Sequence, residues 1–150
     1  MSTDWNSLRK SIDEALAEIG FLMGVWQGQG TSHGEPVSGR LTIRLIADGG
    51  FMEQREELLE GGAVVHEDLA IYRWDATNQS LRVQHFAPPG VVNDAYVLLD
   101  SERPGLRWVA GPGAARVEIW PESNVLHLHV FLPGSPEAVQ KMRYTRLESR

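Results

Sequence analysis

Two histidines on a short alternating segment are the residues whose spacing points most directly to metal chemistry. A single residue separates His127 from His129, so in an extended strand both imidazoles point to the same side, an arrangement that zinc sites use. A third ligand could come from His66, His85 or Glu118. The apolar side chains of Leu126, Leu128 and Val130 favour the opposite face as the buried one, which would leave both histidines in solvent. We therefore predict no metal, with His127 and His129 as the alternative ligands.

A histidine and a tryptophan on two later strands are candidates for binding a small molecule. His85 shares the face of Leu81 and Val83, so it should point inward and orient a polar group of a ligand. The alternative is a core histidine that pairs with a neighbouring group. Trp108 falls on the face of Leu106 and Ala110 and is the first candidate for an aromatic contact.

A charged segment supplies a candidate anion partner. Glu53, Arg55 and Glu57 alternate along one face of a predicted strand. We predict that Arg55 binds the carboxylate of a ligand, since its planar fork matches that group. The alternative is a solvated strand whose charges protect a loosely paired edge. Tyr96 is included as a second aromatic ligand contact.

The run His66-Glu67-Asp68 resembles acid–base machinery only in composition. Neighbouring strand residues point to opposite faces, so Glu67 is separated from His66 and Asp68. His66 and Asp68 can pair, and we expect a solvent-exposed ion pair rather than a catalytic dyad.

Composition and missing motifs narrow the function further. The chain has 150 residues, 42% hydrophobic residues, no cysteine and a formal net charge of -6. The negative charge disfavours nucleic acid as a partner, and no apolar run is long enough for a membrane span. The absence of cysteine excludes disulfides and thiolate sites and is compatible with a cytoplasmic protein. No nucleophile elbow, phosphate loop or zinc-protease motif occurs, so nothing in the sequence indicates an enzyme.

The first segment predicts an amphipathic helix over about residues 4–19. Its apolar residues recur at spacings of three and four and share one face: Trp5, Leu8, Ile12, Leu16 and Ile19. Thr3 or Asp4 can cap its start. Gly20 should end the helix in a left-handed conformation.

The rest of the chain predicts strands. Nine clusters rich in glycine, proline and aspartate separate ten short segments, several of which alternate between apolar and polar residues. Ten consecutive strands with short turns predict an antiparallel up-and-down β-barrel, because closure removes the exposed edges. We expect one all-β domain over residues 1–150, with the barrel at about 21–148 and the helix bracing one end.

A motif at the start of the barrel resembles the calycin superfamily, which includes lipocalins, fatty-acid-binding proteins and related bacterial barrels. Gly24-Val25-Trp26 follows the helix and continues to Gly28 and Gly30, while Tyr144-Thr145-Arg146 lies in the last strand. The segments 49–53 and 71–75 are similar to bacterial fatty-acid-binding-like barrels of unassigned function. The resemblance implies that Trp26 packs against Arg146 where the barrel closes.

The same opening motif is also similar to that of the nitrobindins, a calycin branch that holds ferric haem and acts on reactive nitrogen species. That resemblance implies a haem or metal site with redox or isomerase activity and requires His127, His129 or His85 inside the barrel. The last strand, residues 139–147, contains no histidine that could be the proximal ligand. We therefore expect no cofactor, with haem as the alternative.

The function expected from the sequence is non-catalytic binding of a small, largely apolar molecule inside the barrel, with a carboxylate or other polar end. The proposed ligand contacts are His85, Trp108, Arg55 and Tyr96. A structural or partner-binding homodimer is a further alternative, with its interface at Trp120, Phe131 and the helix.

Overall fold

The structure is a computed structural model that describes residues 4–111 and 114–147. It begins with a helix, α1 (Trp5–Glu18), and a single 3₁₀ turn (Gly20–Leu22). Ten strands follow in chain order: β1 (Gly24–Ser32), β2 (Glu35–Ile46), β3 (Phe51–Glu60), β4 (Ala63–Asp75), β5 (Ser80–Ala87), β6 (Val91–Leu99), β7 (Leu106–Val109), β8 (Arg116–Glu122), β9 (Val125–Phe131) and β10 (Ala138–Arg146).

The strands form one closed barrel. Each strand pairs antiparallel with the next along the chain, and β1 pairs with β10 to complete the ring. The closing register places Trp26 opposite Arg146 and Gly30 opposite Met142. The prediction of a closed antiparallel up-and-down barrel with ten strands and an N-terminal helix is therefore confirmed.

Alternation along the strands separates a packed interior from a polar exterior. The interior is densely filled at the end where β4 finishes and β5 begins. Its fully buried side chains include Leu22, Leu41, Met52, Tyr72, Ile119, Leu126 and Tyr144. The opposite end carries smaller and more polar inner side chains, which leaves space for a cavity there.

Helix α1 packs against the filled end of the barrel. Asp4 caps it by accepting a hydrogen bond of 3.1 Å from the backbone N–H of Ser7. Leu16 is buried, whereas Trp5 is 71% exposed and does not join the apolar face predicted for it. Gly20 does not adopt the predicted left-handed conformation, because the chain continues directly into the 3₁₀ turn. Within the described residues, no helix is both long enough and apolar enough to cross a membrane.

Trp26 packs against Arg146 at the end of the barrel nearest α1, as the sequence resemblance implied. The Arg146 guanidinium lies 4.3 Å from the centre of the Trp26 ring, a cation–π arrangement. Arg146 also donates hydrogen bonds to the carbonyls of Phe21 and Met23. The Trp26 indole N–H donates to the Leu22 carbonyl at 2.9 Å. These contacts join β1, the 3₁₀ turn and β10.

Glycine at the β1–β10 seam lets the two strands approach closely. A Cβ added at Gly28 would overlap the backbone carbonyl of Arg143, and backbone is less able to move aside than a side chain. We expect Gly28→Ala to lower the free energy of unfolding by about 1–3 kcal/mol through steric overlap, measured by urea denaturation. The control is Gly20→Ala, since no atom lies within 4 Å of an added Cβ there. Equal stabilities of the two variants would contradict close approach at the seam.

Candidate functional site

A cavity of about 340 Å³ opens at the barrel end opposite α1. This volume is within the range of about 300–1,000 Å³ that is typical of small-molecule sites. One wall is mainly apolar: Ala95, Trp108, Ala110, Val117, Leu128 and Val130. The other wall, formed by β3, β4 and β5, is polar: Gln54, Glu56, His66, Asp68 and His85. The cavity therefore has the amphipathic lining of a ligand site.

Asp68 is the central residue of the polar wall. Its Oδ2 atom lies 3.1 Å from Nε2 of His66 and 3.6 Å from Nε2 of His85. The three residues meet because β4 carries His66 and Asp68 two positions apart, while β5 runs alongside β4. Two imidazoles thus share one carboxylate oxygen inside the barrel.

Electrostatics in this group favour a charged Asp68 and a more basic His66. Burial acts to raise the pKa of Asp68, but the adjacent imidazoles of His66 and His85 lower it below its usual value overall. The hydrogen bond with Asp68 raises the pKa of His66, and the negative charges of Asp68 and Glu56 add to that effect. Both shifts favour the ionic form of the His66–Asp68 pair.

Glu56 is a buried carboxyl group beside this pair. It is 3% exposed and lies opposite Asp68 in the β3–β4 register. Its Oε2 accepts a hydrogen bond of 2.6 Å from the Tyr144 hydroxyl, and its Oε1 accepts one of 3.0 Å from the Gln140 amide. Burial, followed by repulsion from Asp68, raises the pKa of Glu56 to about 7. Glu56 can therefore exchange a proton in the neutral range.

A second hydrogen-bonded chain lies beside Glu56. The Tyr72 hydroxyl donates to Oε1 of Gln54 at 2.7 Å, and the Trp108 indole N–H donates to the Tyr72 oxygen at 3.2 Å. Burial raises the pKa of Tyr72 and of Tyr144, so both hydroxyls remain protonated donors. These bonds hold the Trp108 ring in a fixed orientation against the cavity.

Glycine at position 39 gives Tyr144 room to reach Glu56. An added Cβ at Gly39 would overlap the Tyr144 hydroxyl and lie 2.7 Å from Cε of Met142. The inward-facing row of β2 is otherwise occupied by larger buried residues such as Val37 and Leu41. The absence of a side chain at this one position therefore shapes the polar network.

Two of the four predicted ligand contacts line the cavity and two do not. His85 and Trp108 belong to the cavity lining, with their ring centres 5.4 Å apart. Arg55 lies on the outer face of β3, where it pairs with Glu67 at 2.5 Å. Tyr96 lies on the outer face of β6 beneath the Arg82 guanidinium, 4.5 Å from its ring centre. The expected inward positions of Arg55 and Tyr96 are wrong, because β3 and β6 turn the opposite faces inward.

The two histidines of β9 lie outside the barrel, as expected because they alternate with apolar residues that face inward. His127 stacks on Trp120 with ring centres 5.0 Å apart, and His129 meets the same indole edge-on at 4.7 Å. Phe131 is buried beneath Arg116, so it does not form the exposed interface predicted for it. Among the residues that the structure describes, no group of three or more histidine, aspartate or glutamate side chains has a metal-binding arrangement.

The cavity does not fit an axial haem ligand of the expected kind. The inner face of β10 presents Gln140, Met142 and Tyr144, and no histidine. Met142 is fully buried, while Tyr144 donates to Glu56. His66 and His85 both direct Nε2 to Asp68. Among the described residues of β10, the histidine expected as the proximal ligand is therefore absent.

The polar wall is the functional feature that sequence reasoning missed. The expectation of a solvent-exposed His66–Asp68 pair is wrong, because β4 turns these residues to the same inner face as Ala70 and Tyr72. Glu56 shares its side of β3 with Met52 and Leu58, which are both buried. The spacing of Glu56 from Met52 and Leu58 could therefore have indicated that Glu56 points inward. The outward-facing row of β3 includes Phe51 and Leu59, however, so hydrophobicity alone did not distinguish the two faces of the strand.

No protein-family model matches the chain, and a search of curated proteins finds no match.

Proposed function

We propose that the barrel binds a small, largely apolar molecule in the cavity at the end opposite α1. The observation that carries this proposal is the cavity itself, where an apolar wall faces a wall of polar groups. Burying the apolar part of a ligand against the first wall would supply about 25 cal/mol for each Å² removed from water. The second wall would fix the orientation of the ligand through hydrogen bonds.

The polar wall favours a ligand with an uncharged polar end, such as a carbonyl or hydroxyl group. Among the described residues, no lysine or arginine lines this cavity. Glu56 and Asp68 would repel a carboxylate, and Arg55, the predicted partner for that group, lies outside. The imidazoles of His66 and His85 can either donate or accept a hydrogen bond. We therefore replace the expected carboxylate with a neutral hydrogen-bonding group.

We also propose that the chain is a distant calycin. Three features support this relationship: the closed antiparallel barrel, the preceding helix and the contact of Trp26 with Arg146. Fold likeness does not determine the ligand. Support for ligand binding therefore comes from the cavity alone.

Ligand-dependent thermal stabilisation tests the proposed function. A panel of small ketones, alcohols, flavins and fatty acids should contain compounds that raise the melting temperature, because a ligand that binds only the folded state must stabilise it. We expect neutral amphipathic compounds to produce larger shifts than fatty acids of similar size. A panel in which no compound raises the melting temperature would contradict the proposal.

A pair of neighbouring substitutions locates the binding site. Ala110 lines the cavity, whereas Val109 is exposed on the outer face of β7. We expect Ala110→Phe to weaken ligand affinity at least about tenfold by occupying the cavity, which corresponds to about 1.4 kcal/mol. Val109→Phe is the matched control and should retain the affinity of the original protein in isothermal titration calorimetry. Equal effects of the two substitutions would place binding outside the cavity.

A further inference from the structure

Two imidazoles reach the same carboxylate oxygen within the cavity. His66 and His85 both approach Oδ2 of Asp68 through Nε2, at 3.1 and 3.6 Å. Nδ1 is then the nitrogen of each ring that remains for a bound molecule. A carboxylate in this position stabilises a positive charge on whichever imidazole holds the extra proton. The group can therefore carry one proton on either of two rings.

We propose that His66, Asp68 and His85 form a proton relay that isomerises a compact, mainly apolar carbonyl compound. This inference rests on the proposed function, because the substrate must occupy the cavity. His66 and His85 are the catalytic residues and Asp68 is a positioning residue. The relay belongs to general acid–base catalysis, which contributes typically 10²–10⁴-fold to a rate.

The relay removes a proton from one carbon of the substrate and adds a different proton to another carbon. The neutral imidazole removes a proton from the carbon beside the carbonyl group, and the electron pair of that C–H bond forms an enolate. In a β,γ-unsaturated ketone the enolate extends over the double bond. The second imidazole, which begins protonated, then delivers its proton to the γ-carbon. The double bond moves into conjugation, and the two rings exchange their protonation states.

The surroundings of the relay suit this chemistry. The ring of Trp108 is 5.4 Å from His85, so an apolar substrate would lie beside the imidazole. Asn93, the cross-strand neighbour of His85, belongs to the cavity lining and offers an amide donor for the enolate oxygen. A low-polarity wall strengthens electrostatic interactions with charge that develops in the transition state.

The β,γ-unsaturated isomer of cyclohexenone is a direct probe of the relay. Its conversion to the conjugated isomer is followed by ultraviolet absorbance, while saturation-transfer NMR reports separately whether the ketone binds. We expect the protein to accelerate conversion at least a hundredfold above buffer. His66→Gln and His85→Gln should each lose about a hundredfold in rate while the binding signal remains. His129→Gln, the same change on the outer surface, should match the original protein.

The pH profile separates proton transfer from a structural role. The titratable groups that face the relay are Glu56 on β3, His66, Asp68 and Tyr72 on β4, His85 on β5, Tyr144 on β10, and His33 at the cavity rim. We expect a bell-shaped rate profile, because the reaction needs one neutral and one protonated imidazole. Asp68→Asn should move the basic limb to lower pH, since the protonated imidazole loses its carboxylate partner. Glu67→Gln, on the outer face, should leave the profile unchanged.

The possible outcomes distinguish the two proposals. Binding of the ketone with no acceleration, or with a flat pH profile, would overturn the relay and leave the proposed binding function intact. Failure of both ketone isomers to bind would overturn the relay, while binding of other panel compounds would still support the function. Loss of rate in His129→Gln equal to that in His66→Gln would also overturn the relay.

Discussion

Replacing Trp26 with alanine should lower the free energy of unfolding by about 3–5 kcal/mol, the range for deletion of a large buried aromatic ring. Trp26 is 4% exposed. The substitution removes the indole hydrogen bond to Leu22 and the surface over which Arg146 lies. It also leaves a void where β1 meets β10 and the 3₁₀ turn. We therefore expect the whole closed end of the barrel to loosen.

Urea denaturation measures this effect, and the chain contains its own control. Trp5 is the same residue type but is 71% exposed, so Trp5→Ala should change stability by no more than about 0.5 kcal/mol. Arg146→Lys should give an intermediate loss, since it keeps the charge but not the planar stack or both carbonyl contacts. If Trp26→Ala lowered the free energy of unfolding by no more than Trp5→Ala does, the proposed role of Trp26 in closing the barrel would be contradicted.

Glu56→Gln should remove most of the pH dependence of stability in the neutral range. The folded protein binds a proton at Glu56 up to pH about 7, whereas the unfolded chain releases it near 4.5. The original protein should therefore lose stability as pH rises from 4.5 through 7, by an amount on the order of 3 kcal/mol. The glutamine variant has no such proton to lose. It should be the more stable protein at pH 8 and nearly equal to the original at pH 4.5.

Chemical denaturation across this pH range, with Glu57→Gln as the control, tests the prediction. Glu57 lies on the outer face of β3 beside Arg40, so its replacement should preserve the pH profile of the original protein. The raised pKa of His66 adds a further loss of stability with rising pH, and the part of it that comes from Asp68 should persist in Glu56→Gln. Parallel pH profiles for the original protein and Glu56→Gln would show that Glu56 titrates normally.

The number and order of strands could be predicted because turns leave strong local signals. Clusters of glycine and proline lie at nearly every strand boundary. In β9, buried apolar residues such as Leu126 and Leu128 alternate with more polar ones. The inward positions of His85 and Trp108 also followed from their apolar neighbours on the same faces. Patterns with one clearly apolar side thus predicted both the element and its orientation.

The polar wall on β3 and β4 could not be predicted because these two strands have no clearly apolar side. In β3 both rows contain charged residues, and in β4 the outward row includes Leu69 and Ile71 while the inward row carries His66 and Asp68. Which face turns inward is decided by pairing with both neighbouring strands around the closed ring, a nonlocal constraint. The position of Glu56 depends further on Gly39 and Tyr144, which lie on other strands.

The most direct test of the binding cavity is an NMR titration of the isotopically labelled protein with the unconjugated ketone and with the panel compounds. We predict that the indole N–H resonance of Trp108 and the imidazole resonances of His66 and His85 shift together, while those of Trp120 and His129 on the outer surface stay in place. Shifts confined to Trp120 and His129, or no shift with any compound, would contradict a ligand site inside the barrel.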